Sequence, residues 1–287
     1  MYTGPYTALI TPFANNAIDE KAFRNFVKWQ IEQGISGLVP VGTTGESPTL
    51  TQAEKIRLYE ITVEEANGKC PVIAGTGTNS TQSSIELSQI AKDVGVDAIL
   101  IVAPYYNKPT QEGIYQHFKA IHDKVDIPII IYNIPGRSVV DITLDTVYRL
   151  AELDNIVGIK DASPDLRRPT YMKNHIKKPF ALLSGEDAST FAYLAQGGHG
   201  AISVTSNLLP KECAELSKLW ESGNIQACQK LNEKLLPIHD ILFCEPNPGP
   251  VKYALSQKGI CSPDVRLPLY EISDENKNRI KNALKDF

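Results

Sequence analysis

Eight short apolar runs, separated by stretches of helical spacing, constrain this chain more than any other feature. The runs occupy 3–10, 37–41, 71–76, 97–103, 127–132, 155–160, 180–184 and 200–205. Runs such as Ala98-Ile99-Leu100-Ile101-Val102 are apolar throughout rather than alternating. Strands of that kind have both faces covered, as in parallel sheets packed beneath helices. The helix signals between them have readable ends. Asp19 precedes a stripe of Phe23, Phe26, Val27 and Ile31 that stops at Gly34. Thr51-Gln52-Ala53-Glu54 is a capping box for a helix ending near Gly68. Ser80 or Thr81 caps a helix that stops at Gly95, another runs over 111–124, and Thr143 caps the next. A helix over Glu186–Gln196 is closed by Gly197-Gly198. Two segments read weakly: Pro40 removes a ladder donor from the second strand, and Pro169 interrupts the helix expected after the sixth.

Eight such units predict an α/β fold, a closed (β/α)8 barrel rather than an open doubly wound sheet. Two stacked α/β domains would want a linker, and no Gly/Ser- or Pro-rich stretch lies mid-chain to serve as one. After Asn207 the pattern turns all-helical. Residues 210–221 are the expected eighth barrel helix, and 225–242, 249–258 and 274–286 an appended bundle broken by Glu245-Pro246-Asn247-Pro248-Gly249-Pro250. The expected domains are a catalytic barrel over 1–223 and a C-terminal helical domain over 224–287.

Composition narrows the function classes. The chain has 287 residues and a net charge of −4, with no clustered basic face of the kind nucleic acid requires. No apolar run approaches the roughly 20 residues that span a bilayer. The N-terminus has no basic segment leading into an apolar one, so no secretory signal is read and a cytoplasmic location is expected. Cys70, Cys213, Cys228, Cys244 and Cys261 are scattered without a CxxC pair, and the histidines show no HExxH spacing. No metal site or disulfide framework is expected from them.

In a (β/α)8 barrel the chemistry lies at the C-terminal ends of the strands. Those ends carry Gly42-Thr43-Thr44-Gly45-Glu46-Ser47, Gly75-Thr76-Gly77-Thr78-Asn79, Pro104-Tyr105-Tyr106-Asn107, Tyr132-Asn133-Ile134-Pro135-Gly136-Arg137, Lys160-Asp161 and Ser184-Gly185-Glu186-Asp187. Lys160 is the sharpest candidate. Alternation puts Ile156, Gly158 and Lys160 on one strand face, where Gly158 would leave room for an adduct. Burial disfavours an ammonium ion, and a neutral amine attacks carbonyls. The competing reading is a surface lysine at a strand end. Tyr132 would share the interior with Ile130, either as packing or as a proton shuttle with Thr43, Thr44 and Tyr106 as relay. Arg137, after a Pro-Gly turn, is either a solvated loop residue or a fork for a substrate carboxylate.

Gly42-Thr43-Thr44-Gly45-Glu46, Tyr132-Asn133-Ile134-Pro135-Gly136-Arg137 and Gly158-Ile159-Lys160-Asp161 together resemble the signatures of the dihydrodipicolinate synthase family. The family belongs with the pyruvate-dependent Schiff-base lyases, and the resemblance runs end to end. It implies a (β/α)8 barrel with a C-terminal helical domain, assembled as a homotetramer, a dimer of dimers. It implies condensation of pyruvate with L-aspartate 4-semialdehyde on the route to diaminopimelate and lysine, with no metal or organic cofactor. By position, Lys160 forms the Schiff base and Tyr132 donates and accepts protons, linked through Thr43 to a Tyr106 lent by the neighbouring subunit. Thr43 and Thr44 hold the pyruvate carboxylate, Arg137 binds that of the semialdehyde, and Gly185 and the Ile202 carbonyl border the pocket. Arg137 and Thr43-Thr44 distinguish this family from the neuraminate lyases, which with other sugar-acid aldolases are the alternative. A barrel that serves only as a binding protein would have lost the lysine or the tyrosine. The positions matching the family's lysine-inhibition cleft are Ser47, Pro48, Gln52, Lys55, Asn79, Ser83 and Tyr105. Asn79 and Tyr105 fit it, but Ser83 replaces a glutamate and Lys55 adds a like charge, so weak or absent inhibition is expected.

Overall fold

The structure, a computed structural model, describes residues 1–287 apart from the side chain of Asp286. Eight parallel strands carry the fold: β1 (Gly4–Ala8), β2 (Gly37–Val39), β3 (Ile73–Gly75), β4 (Ala98–Val102), β5 (Ile129–Asn133), β6 (Ile156–Asp161), β7 (Ala181–Ser184) and β8 (Gly200–Ser203). They form one eight-stranded sheet in the order β2-β1-β8-β7-β6-β5-β4-β3, with helices following the strands. This is the (β/α)8 barrel that the run pattern predicts.

The chain resolves into two compact units, Met1–Gly4 with Val72–Ile202, and Pro5–Pro71 with Ser203–Phe287. In the first, β3 to β8 pair with their sequence neighbours, and Ile99, Ile101, Ile129, Ile131 and Ile159 are fully buried. The helices Thr81–Val94, Gln111–Lys124, Leu144–Ala151, Arg168–His175 and Thr190–Ala195 belong to this unit. Ser80, not Thr81, is the cap of the first, its hydroxyl accepting from Ser83 N, and Gly95 closes that helix at φ +95°. The left-handed C-cap is the conformation glycine adopts most cheaply.

In the second unit β1 pairs with β2, Tyr6 opposite Gly37. Helices Glu20–Glu32, Gln52–Ala66, Pro210–Glu221, Ile225–Ile241, Gly249–Gln257 and Asp274–Ala283 complete it. The capping box is present in both directions, Glu54 N donating to Thr51 Oγ1 and Thr51 N to Glu54 Oε2. Asn207 ties down the end of β1: Ile10 N donates to its Oδ1 at 3.0 Å and its Nδ2 donates to Ala8 O at 2.8 Å.

Several local expectations change. Pro40 lies beyond the end of β2, where no ladder donor is needed. Pro169 starts the Arg168–His175 helix rather than interrupting it, since a first-turn residue has no intrahelical acceptor to miss. The helix expected from Glu186 begins at Thr190, because Glu186 N donates to Ser184 Oγ and Thr190 N to Asp187 O in a turn. Phe13–Ala14 and Ala17–Ile18 form a small antiparallel hairpin around Asn15 and Asn16, both at positive φ. Paired asparagines in such a turn are a recognised hairpin signal that the sequence carries. A four-residue helix, Pro135–Ser138, follows β5.

Candidate active site

The site begins with the register between two neighbouring strands. Tyr132 on β5 stands opposite Lys160 on β6, and the next step places Asn133 opposite Asp161. Both side chains of the first pair are buried, Lys160 at 6% exposure and Tyr132 at 5%. The Lys160 Nζ lies 4.1 Å from the centroid of the Tyr132 ring. Lys160 is thus enclosed, and the surface-lysine reading does not hold. The register slips between Ile129 and Ile130, opposite Val157, so the simple alternation proposed for Ile156, Gly158 and Lys160 runs unbroken only from Gly158 onward.

Two glycines near Lys160 have different uses. A Cβ on Gly158 would stand 2.7 Å from Ala181 O and 2.8 Å from its Cβ. Gly158 therefore permits close approach of β7 and is not adduct space, which corrects the expectation. A Cβ on Gly185 would come within 3.2 Å of Lys160 Cε and 2.8 Å of Ala162 Cβ. Gly185 is the residue whose bareness clears the lysine side chain, and its N–H is fixed on Asp161 O at 2.8 Å.

Behind the pair is a buried polar clamp. Asp161 follows Lys160 and points to the other side of the strand, with its side chain 1% exposed. Its Oδ2 accepts from Arg168 Nε at 2.6 Å, and its Oδ1 from Ser163 N at 3.0 Å and Asn133 Nδ2 at 3.2 Å. Asn133 also donates to Asp141 Oδ1 and accepts from Ile142 N. Arg168 Nη2 donates to Ile142 O. The residues that follow the tyrosine and the lysine are therefore tied to each other and to one guanidinium.

The remaining candidates of this unit occupy different settings. Arg137 is exposed on the Pro135–Ser138 helix that continues from the Tyr132 strand end. Ile202 is buried on β8. Tyr105 is half-buried in the loop after β4, while Tyr106 is 91% exposed with a left-handed backbone at φ +69°. Its own chain does not fold Tyr106 over Lys160. Asn79 is half-buried, and its carbonyl accepts from Asn107 Nδ2 at 2.8 Å.

Thr43 and Thr44 lie in the second unit, in the tight turn after β2. Gly45 N and Ser47 N both donate to Gly42 O, and Glu46 N donates to Thr43 O. Thr43 and Ser47 are half-buried, and Thr44 is buried with its Oγ1 accepting from Asn247 Nδ2 at 3.0 Å. An accepting Thr44 oxygen keeps its own hydroxyl hydrogen for another partner. Among the described residues, no group of three or more His, Cys, Asp or Glu could hold a metal ion.

The chain is matched over its whole length among known proteins. The sequence model of the Dihydrodipicolinate synthetase family matches residues 1–287. The chain belongs to the dihydrodipicolinate synthetase family. A relative in Rhodospirillum centenum, 4-hydroxy-tetrahydrodipicolinate synthase, is 53% identical over 284 residues, 99% of this chain and 98% of that protein. The solved 4-hydroxy-tetrahydrodipicolinate synthase of Methylacidiphilum fumariolicum SolV superposes with a TM-score of 0.98 at 43% identity, over 100% of this chain and 96% of its own. The chloride-inhibited dihydrodipicolinate synthase of Acinetobacter baumannii, complexed with pyruvate, gives 0.97 at 44% identity, over 100% and 99%.

In this dihydrodipicolinate synthetase family member, four supporting residues have no role in the sequence reading: Asn133, Asp161, Arg168 and Asn247. A signal existed for Asp161, since an acid beside a buried strand lysine must point away and find a cation. Nothing local marked Arg168 as that cation. Asp161→Ala leaves the Arg168 guanidinium buried without its counter-charge, and is expected to cost about 3–5 kcal/mol in urea unfolding. The paired Asp161→Asn/Arg168→Met variant is expected to lose clearly less.

Proposed function

We propose that the chain condenses pyruvate with L-aspartate 4-semialdehyde to 4-hydroxy-tetrahydrodipicolinate, the reaction of 4-hydroxy-tetrahydrodipicolinate synthase. It is a lyase of the class I aldolase type. The enclosed Lys160 amine against the Tyr132 ring carries this reading, beside the full-length likeness to enzymes of that name.

The steps follow from the groups present. The Lys160 amine adds to the ketone carbon of pyruvate, and loss of water leaves a protonated imine. That imine is the electron sink, so a methyl proton passes to the Tyr132 relay and an enamine forms. The enamine carbon attacks the aldehyde, whose oxygen takes a proton from Tyr132. The amino group of the semialdehyde then adds to the imine carbon, closing the ring and expelling the Lys160 amine. In this scheme Thr43 links Tyr132 to Tyr106 in the proton relay. Thr43 and Thr44 take the pyruvate carboxylate, and Arg137 takes the semialdehyde carboxylate as a planar two-donor fork. Gly185 and the Ile202 carbonyl border the substrate.

The proposal includes a cytoplasmic homotetramer, a dimer of dimers, in which Tyr106 is lent to a neighbouring subunit. A 91%-exposed tyrosine held at φ +69° supports this, because a bulky side chain at positive φ carries strain that solvent does not repay. No helix among the described residues is long and apolar enough to cross a membrane. Residues 1–223 are assigned to the catalytic barrel and 224–287 to the helical domain. At the positions matching the family's lysine-inhibition cleft, Ser47, Asn79 and Tyr105 among them, Ser83 offers no negative charge and Lys55 adds a positive one, so lysine is a weak inhibitor or none.

Borohydride reduction in the presence of pyruvate, followed by peptide mass analysis, is expected to place the pyruvyl adduct on Lys160. An adduct on another lysine overturns the mechanism. Arg137→Ala is expected to raise the KM for the semialdehyde about tenfold or more while imine trapping with pyruvate persists, as loss of one charged hydrogen bond implies. Initial rates under added lysine are expected to stay uninhibited below about 1 mM, since a missing charge pair costs about 1–3 kcal/mol.

A further inference from the structure

The turn that carries Thr43 and Thr44 is backed by an ion pair that the proposed reaction does not use. The Glu46 and Lys252 side chains are both 0% exposed, and Lys252 Nζ stands 2.8 Å from Glu46 Oε1. The other carboxylate oxygen accepts from Arg266 N at 2.9 Å. Lys252 Nζ also donates to Thr11 O at 2.8 Å, and Thr11 Oγ1 donates to Gly45 O at 2.7 Å inside the same turn. Phe13 lies against both cations, with Lys252 Nζ and the Arg266 guanidinium carbon each 4.3 Å from its ring centroid. Arg266 continues outward to Thr49 O and to Glu54.

Two further observations say what this arrangement is for. The turn is strained at both ends, since Val41 and Glu46 sit at φ +59° and +57°. A β-branched residue in that region persists only where its surroundings over-determine it. A buried ion pair is also a poor source of stability, because desolvation of both charges offsets their attraction. Here it meets a backbone carbonyl at Thr11, in the hairpin lead-in, and a backbone amide at Arg266. Geometry is what it supplies.

We propose that Glu46 and Lys252 are positioning residues for the pyruvate carboxylate, holding the Gly42–Glu46 turn so that the Thr43 and Thr44 hydroxyls stand preformed. This rests on the reading that those hydroxyls bind that carboxylate. The helical tail then has a part in the reaction: Lys252 lies on the Gly249–Gln257 helix, and Asn247 just before it donates to Thr44 Oγ1. Burial holds the Lys252 pKa below the ordinary lysine value, against the upward pull of Glu46.

Lys252→Met alone strands a buried carboxylate and is prone to misfold. The test is therefore the double variant Lys252→Met/Glu46→Gln, which removes both charges, keeps the volumes and retains a carbonyl for the Arg266 amide. Circular dichroism and thermal melting establish that it folds. Steady-state rates are expected to show a KM for pyruvate raised about tenfold, the loss of one hydrogen bond to a charged group, with the KM for the semialdehyde unchanged. A folded double variant with wild-type pyruvate KM overturns the proposal. So do equal rises in both constants, which mark general loosening. Thr44→Val, run in parallel, separates the two readings. If it leaves the pyruvate KM unchanged, the carboxylate assignment fails. If it raises that KM while the double variant does not, the positioning role alone fails.

Discussion

The ladder between β5 and β6 is the constraint on which the site depends. Parallel pairing at this register makes Tyr132 and Lys160 neighbours and Asn133 and Asp161 neighbours. A slip of one residue would turn every one of these side chains to the opposite face. The reactive side and the supporting side are thus set by one set of backbone hydrogen bonds. The Asn133–Asp161–Arg168 clamp then makes the wrong register costly, because a misplaced Asp161 would be a buried charge without a partner.

The same device recurs in the second unit. Glu46 and Lys252 are as fully enclosed as Asp161 and Arg168, and each carboxylate also accepts from a backbone N–H. Neither pair is an efficient way to gain stability. Each stands one or two residues from a side chain assigned to the chemistry: Asp161 beside Lys160, and Glu46 two past Thr44. The pattern is one of charge used for placement, with a large penalty for alternatives, beneath groups that themselves remain available to a substrate.

Much of this was legible in the residues. The eight apolar runs, the Asp19, Thr51 and Thr143 caps and the glycine stops are local signals, and they mark elements within a few residues of those seen. Lys160 and Tyr132 were legible because strand ends in such a barrel face a common site. The errors were also local in origin. Pro169 reads as an interruption because a proline signals a break without saying on which side of a helix start it falls. Gly158 reads as room for a ligand, since a glycine announces close approach without naming what approaches; here it is Ala181 on β7.

What the sequence determined by itself is the alternation of strand and helix, and with it the barrel, the inward lysine and the family. The alternation rests on periodicity and capping, which act over a few residues, and the family rests on the motifs at Gly42–Glu46, Tyr132–Arg137 and Gly158–Asp161. Tertiary structure alone decided the partners: Arg168 for Asp161, Lys252 and Arg266 for Glu46, Asn247 for Thr44, and Gly185 rather than Gly158 as the clearance for Lys160. The partners of Glu46 and Thr44 stand more than two hundred residues away in the chain. A buried charge states in the sequence that it needs a counter-charge. Which of the many available cations meets it is settled only when distant segments pack.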